Sequence, residues 1–303
     1  MVPPDPSRGP GSVPADVEPH VHIPADPLRE WPTLRRVGVR LPLRDYLGEL
    51  WRRREFAVTV PMGELRAQNQ DTMLGQLWHL LNPLLLIAVY YLIFGVILDM
   101  SARQENYVAF LIVGVITFDY TRTAMTSGAR MIVKNRQLIR SINFPRALLP
   151  VSGLISETIT FLYAIPVMWL LLLTTGVRPS WGWLLVVPIL VLQAMFNLGV
   201  GMATARATFH LRDMQQVLPY ALRIWFYMSG VLFPITEALV QNDALRFVLQ
   251  LNPMYAYIEM AREAFIEGVF APRVWAMGAA WSIIVLVLGF VYFRRAESEY
   301  GRV

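Results

Sequence analysis

The chain has 303 residues, of which 55% are hydrophobic and only 16% charged, whereas a soluble domain is typically about a quarter charged. The net charge is +5 and Lys134 is the single lysine. There is no cysteine, which excludes disulfides, thiolate metal sites and cysteine nucleophiles. The basic residues flank long apolar runs, so the positive balance points to a membrane surface and not to nucleic acid.

Residues 1–40 form a separate segment. Nine of the first 32 residues are proline and no apolar h-region is present, so a disordered cytoplasmic tail without a cleaved signal peptide is expected. His20 and His22 are too few to hold a metal, and no metal site is expected elsewhere. Residues 41–303 read as one membrane domain. Leu43, Tyr46, Leu47, Leu50 and Trp51 recur at helical spacing beside Arg44, Arg52, Arg53 and Arg54, as in an amphipathic helix lying in the cytoplasmic interface.

Crossing the hydrocarbon core takes roughly 20 apolar residues. Six stretches qualify: 77–98, 107–127, 148–173, 183–205, 214–235 and 274–293. The expected fold is therefore an all-α integral membrane protein with six transmembrane helices, because lipid leaves backbone polar groups no external partner. Residues 236–270 are too broken to cross. Two short pieces meet at Asn252 and Pro253, and Glu237, Asp243, Glu259, Glu263 and Glu267 outweigh Arg246 and Arg262. This reads as a re-entrant or outer-leaflet helical hairpin between spans five and six.

The loop from Gly128 to Ala147 carries Arg130, Lys134, Arg136, Arg140 and Arg146 without an acid, which places it in the cytoplasm. The opposite loops hold only Arg103 and Arg178. An even number of spans then puts both termini inside, in a multi-pass protein of the plasma (inner) membrane.

Ionisable residues within spans are expensive and mark functional positions. Asp119 and Arg122 are three apart and suited to pair on one helix face, lining a polar conduit or buried against a neighbour. Glu157 needs a hydrogen-bond donor such as Arg122 or Arg206, or water. Arg223 either snorkels to headgroups or engages a substrate phosphate. Gly199 with Ala203, and Gly201 with Ala205, permit close helix packing within the subunit or at a dimer seam.

Four segments carry a family resemblance: GELRAQNQDTMLGQLWHLLNPLL at 63–85, SGARMIVKNRQLIRSINFPRALLP at 127–150, FHLRDMQQVLPYALRIWFYMSGVLFPI at 209–235 and LQLNPMYAYIEMAREAFIEG at 249–268. In order and spacing they resemble the permeases of type-2 ABC exporters for polysaccharides, a group that exports O-antigen, teichoic acid and related lipid-linked glycans. The resemblance implies a homodimer with two cytoplasmic ABC ATPase subunits. The chain has no G-x-x-x-x-G-K-[ST] phosphate loop, so ATP and magnesium belong to that partner and the chain itself is not an enzyme. A helix around 132–140 would dock on the ATPase, with Ile132, Leu138 and Ile139 as apolar contacts and Lys134, Arg136 and Arg140 as charges. Tyr90, Tyr91, Phe94, Phe118, Asp119, Tyr120, Arg122, Trp225, Phe226 and Tyr227 are the candidates for a channel lining, because sugar rings pack their C–H faces on aromatics. The cargo implied is a lipid-linked polysaccharide, with cell-wall galactan among those that fit. The alternative is an ABC permease for a small hydrophobic drug or lipid. A membrane enzyme would need a carboxylate or histidine cluster near the membrane, and a proton-driven carrier would show internal repeats; neither pattern is present.

Overall fold

A computed structural model of the protein describes residues 42–55, 57, 59, 77–141, 144–236, 240–297 and 299–300. The Pro-rich segment 1–40, residues 63–76 of the first family segment, and Glu237 lie outside the described residues. Among the described residues the regular structure is entirely helical.

Helix α1 (Leu43–Arg52) is the expected amphipathic piece, and α2 (Leu77–Tyr90) continues as a π-helical stretch through Ile97. A short α3 (Met100–Arg103) leads to α4 (Tyr107–Lys134) and α5 (Arg136–Ser141). Then come α6 (Leu148–Thr174), a 3-10 turn (Trp181–Leu185) running into α7 (Val186–His210), and α8 (Met214–Met228). Two short helices follow, α9 (Asp243–Gln250) and α10 (Pro253–Arg262), the second ending in a π turn at Glu263–Glu267. The last element is α11 (Pro272–Arg295).

Four of these helices are long and apolar enough to cross a membrane: α4, α6, α7 with its 3-10 turn, and α11. A shorter apolar stretch covers Leu81–Ile97. The fifth stretch departs from expectation. The sequence suggests a span over 214–235, but α8 stops at Met228. The cause is local: Gly230 takes φ +68° and Pro234 cannot donate into a helical ladder.

Helix α7 is the centre. Residues 193 and 197 meet 117 and 121 of α4, and residues 192, 199 and 206 meet 282, 289 and 292 of α11, so all three helices run parallel. Helix α6 runs antiparallel to α4, with Tyr120 on Thr158 and Gly153 against Met131. Small residues set the spacing. A Cβ on Gly289 would lie 2.0 Å from the Gly199 carbonyl oxygen, and one on Gly128 would lie 2.7 Å from the Gly201 Cα. The glycines of α7 therefore pack inside the subunit, Gly199 on α11 and Gly201 on α4.

The directions of the chain define two ends. At one end, Tyr46, Ile132, Ile139, Phe144, Leu149, Met202, Phe293 and Tyr300 form a common apolar cluster. That end also holds Lys134, Arg136, Arg140, Arg146, Arg206, Arg294 and Arg295. At the other end, the Asn106 amide donates to the Thr175 carbonyl, and the Trp183 indole donates to Phe265 in the hairpin.

Candidate functional site

The unwound stretch after α8 exposes carbonyls that a helix would have satisfied, and four of them around it find side-chain donors. Tyr107 donates to Leu232 O at 2.7 Å, Gln250 to Ile235 O at 3.1 Å and Asn252 to Met228 O at 3.2 Å. Arg262 donates to Val231 O at 3.1 Å. Asn252 also caps α10 by accepting from Met254 N, and it accepts from the Trp225 indole at 2.8 Å. The Asn252–Pro253 break read from the sequence is thus the N-terminus of α10 and a fastening to α8. Arg262, which entered the sequence reading only as one charge in a balance, is the buried cation at this junction. It also reaches Phe110 O and Glu259, and lies 3.3 Å from the centroid of the Phe110 ring.

The aromatic candidates separate into three groups. Tyr90 stacks on Phe226 at 5.3 Å, Phe118 meets Phe226 and Trp225 edge-on, and Phe94 touches Tyr90, so these five knit α2, α4 and α8 together. Tyr120 turns to α6, stacking on Phe161 at 4.5 Å. Tyr91 and Tyr227 stand exposed, and Arg223 is exposed on the same helix as Tyr227.

Asp119, Arg122 and Glu157 gather on one cleft of about 430 Å³ between α4, α6 and the start of α2. Arg122 Nε donates to Asp119 at 2.8 Å, and both line the cleft with Glu157, Arg130 and Lys134. Glu157 lies beside Thr123 and Ser127 on the same lining. Arg206, one of its expected partners, instead turns to α11, donating to the Tyr292 carbonyl with its guanidinium 4.0 Å from that ring. A second polar group was missed from the sequence: between α4 and α7, buried Gln193 donates to the Thr121 hydroxyl, which donates to buried Asn197. Among the described residues no cluster of ligating side chains could hold a metal.

At the basic end, Ile132 and Ile139 are buried in the subunit's own cluster. They hold α5 down, which leaves Lys134, Gln137 and Arg140 facing outward and Arg136 and Leu138 half-buried. Behind them lies a joint that sequence reasoning did not find. Glu297 accepts from Tyr46 at 2.8 Å and from the Arg146 N–H at 2.9 Å, while Tyr46 Oη accepts from the Ala147 N–H at 3.3 Å. One carboxylate therefore ties α1, the start of α6 and the C-terminal segment. Burial, and then the neighbouring Glu297 charge, push the Tyr46 hydroxyl well above its ordinary range; burial does the same to Tyr300. Tyr46→Phe is expected to lower the melting temperature of the purified protein by the equivalent of about 1–2 kcal/mol, because it leaves a part-buried carboxylate with one donor fewer.

A parallel glycine-packed core, buried intramembrane charge and a broken helix satisfied from a hairpin define a multi-pass membrane protein. Residues 59–266, more than two thirds of the chain, match the family described as ABC-2 type transporter, and the chain belongs to that family. It is 25% identical over 264 residues to the O-antigen export system permease protein RfbA of Klebsiella pneumoniae, covering 87% of this chain and 99% of that one. It is 28% identical over 255 residues to the protein of the same name in Myxococcus xanthus, covering 84% and 96%. It is also 24% identical over 241 residues to the polysialic acid transport protein KpsM of Escherichia coli, covering 77% and 90%.

Proposed function

We propose that the protein is the membrane-spanning subunit of an ATP-driven exporter that moves a lipid-linked polysaccharide, with cell-wall galactan one candidate, from the cytoplasmic to the outer side. The observation that carries the reading is the basic end of the bundle, where Ile132 at the end of α4 and Ile139 in α5 are buried and Lys134, Gln137 and Arg140 face outward around the α4–α5 joint. Cytoplasmic loops are the basic ones, so this end faces the cytoplasm and both termini lie there. ATP and magnesium are bound by a separate ATPase, two copies of which dock on a homodimer, one at α5 of each subunit.

The six spans of this reading are α2 with its π turn, α4, α6, α7, α8 with the unwound 229–235, and α11. Helix α8 alone, at 15 residues, reaches only about 22 Å. The irregular backbone completing the crossing is admissible because protein donors satisfy it. The hairpin α9–α10 lies in or on the outer leaflet. The two copies meet along α2 and α8, where exposed Tyr91, Tyr220, Tyr227 and Arg223 would otherwise set hydroxyls and a cation against lipid tails. That seam forms the conduit, and the relatives named for O-antigen and polysialic acid supply the cargo class.

Reconstituted with its ATPase, the wild-type protein should couple ATP hydrolysis to appearance of the glycan outside. Reversing charge with Lys134→Glu and Arg140→Glu should weaken ATPase docking by roughly tenfold or more and lower coupled hydrolysis in step. Intact coupling in the double variant would remove α5 as the docking element.

A further inference from the structure

Helix α4 changes chemistry at its midpoint. From Tyr107 to Phe118 every side chain but the half-buried Val108 is buried, and all of them sit in the apolar core apart from the small Gly114 and Thr117. From Asp119 onward, Asp119, Arg122, Thr123, Thr126, Ser127, Arg130 and Lys134 recur at spacings of three and four, and all seven line the 430 Å³ cleft. Helix α6 closes it with Ser156, Glu157, Thr160 and Phe161. A polar stripe of this length would be costly against hydrocarbon, so the groove holds water or a polar ligand. Its volume falls in the range of small-molecule sites, about 300–1,000 Å³.

The charges are graded along the groove. At the mouth, toward the basic end, stand Arg130 and Lys134. Deeper, Arg122 is matched by Asp119, and Glu157 lies beside Thr123 and Ser127. The mouth therefore attracts an anion, while the interior, where Arg122 is already matched by Asp119, offers donors, acceptors and the flat Tyr120–Phe161 wall. An anion at the mouth followed by an uncharged, hydroxyl-rich ring inside matches a glycosyl phosphate.

We propose that this groove seats the glycosyl-phosphate end of the lipid carrier, with phosphate at Arg130 and the first sugar beside Asp119 and Arg122. The proposal rests on the exporter reading above and assigns to one copy of the chain a seat for the cargo's reducing end. The lipid tail stays in the bilayer beside the mouth. The sugar hydroxyls exchange hydrogen bonds with an ion pair that already presents both donors and acceptors, so no buried charge is left unmatched when the seat empties.

The test uses the complete complex of this chain with its ATPase in nanodiscs. Three probes are titrated: farnesyl-diphosphate-linked N-acetylglucosamine, farnesyl diphosphate and inorganic diphosphate. The sugar-bearing lipid should bind tightest. Arg130→Gln should weaken both lipid probes alike, about tenfold. The neutral pair Asp119→Asn with Arg122→Gln should weaken the sugar-bearing probe alone, bringing it to the affinity of farnesyl diphosphate. Thr126→Phe, which fills the groove one turn from Arg122, should do the same with an unchanged melting temperature. Wild-type binding of the sugar-bearing probe in all these variants overturns the seat, as does inorganic diphosphate binding as tightly as either lipid. Glycan export by the wild-type complex is measured in parallel. If it exports while the variants bind normally, only the seat falls; if it neither exports nor binds a lipid-linked sugar, the exporter reading falls as well.

Discussion

Arg262→Ala should cost about 3–5 kcal/mol of stability, enough to prevent accumulation of the folded subunit in the membrane. The guanidinium is almost wholly buried and serves three oxygens on three segments: Phe110 O on α4, Val231 O in the unwound end of α8, and Glu259 within its own helix. Removing one partner of a buried, hydrogen-bonded charge pair leaves the remaining polar groups unmatched, and the loss reaches that magnitude. The bound position is tight as well, since a Cβ on Gly114 would lie 2.7 Å from Arg262 Nη2. Arg262→Lys retains the charge but loses the planar fork that reaches two carbonyls at once, so it should fall between wild type and alanine. Melting of the detergent-purified protein measures both. A melting temperature for Arg262→Ala within a degree of wild type would show that the junction is held by other contacts. Because Val231 and Leu232 are the carbonyls freed where α8 unwinds, the lesion should appear first as loss of protection in 229–235 by hydrogen exchange.

What the sequence shows and what it hides divide along physical lines. Long apolar runs in α4, α6, α7 and α11 are legible because lipid demands them, and so is the Asn252–Pro253 break, because an amide cap before a proline is a local signal. The Asp119–Arg122 pair is legible because three residues bring two side chains onto one helix face. The end of α8 is not: 214–235 is mostly apolar, and although Gly230 and Pro234 break the helix, it is the distant donors Tyr107, Gln250, Asn252 and Arg262 that make an early stop tolerable. The aromatic candidates show the same limit. Composition marks Phe118 and Phe226 as aromatic but cannot say that they face each other at 5.1 Å inside the subunit while Tyr227 stands outside. The joint at Glu297 depends on residues 46, 146 and 297 meeting, which no periodicity reveals.

Gly289→Ala is the second substitution expected to be severe, and its neighbours supply internal controls. At Gly289 a Cβ would come within 2.0 Å of the Gly199 carbonyl oxygen, and at Gly199 within 2.3 Å of the Val285 carbonyl oxygen. Both obstacles are backbone, which no rotamer change can clear, so α7 and α11 must separate. Separation also strains Ser282 on Leu192 O and Arg206 on Tyr292 O, the two side-chain ties between the same helices. Overpacking of a tight core costs about 1–3 kcal/mol, and a backbone collision belongs at the upper end or beyond. At Gly201, by contrast, the nearest atoms would be 3.8 and 3.9 Å away, an ordinary contact. At Gly48 in α1 nothing lies within 4 Å. Alanine there removes only glycine's backbone entropy cost, so Gly48→Ala should be neutral or stabilising by up to about 1 kcal/mol. Melting temperatures of the purified variants should rank Gly289→Ala and Gly199→Ala lowest, Gly201→Ala near wild type and Gly48→Ala at or above it. Equal tolerance at Gly289 and Gly201 would mean that α7 and α11 are not locked in register. The arrangement that carries the inner-face joint and the hairpin on one rigid core would then lose its footing.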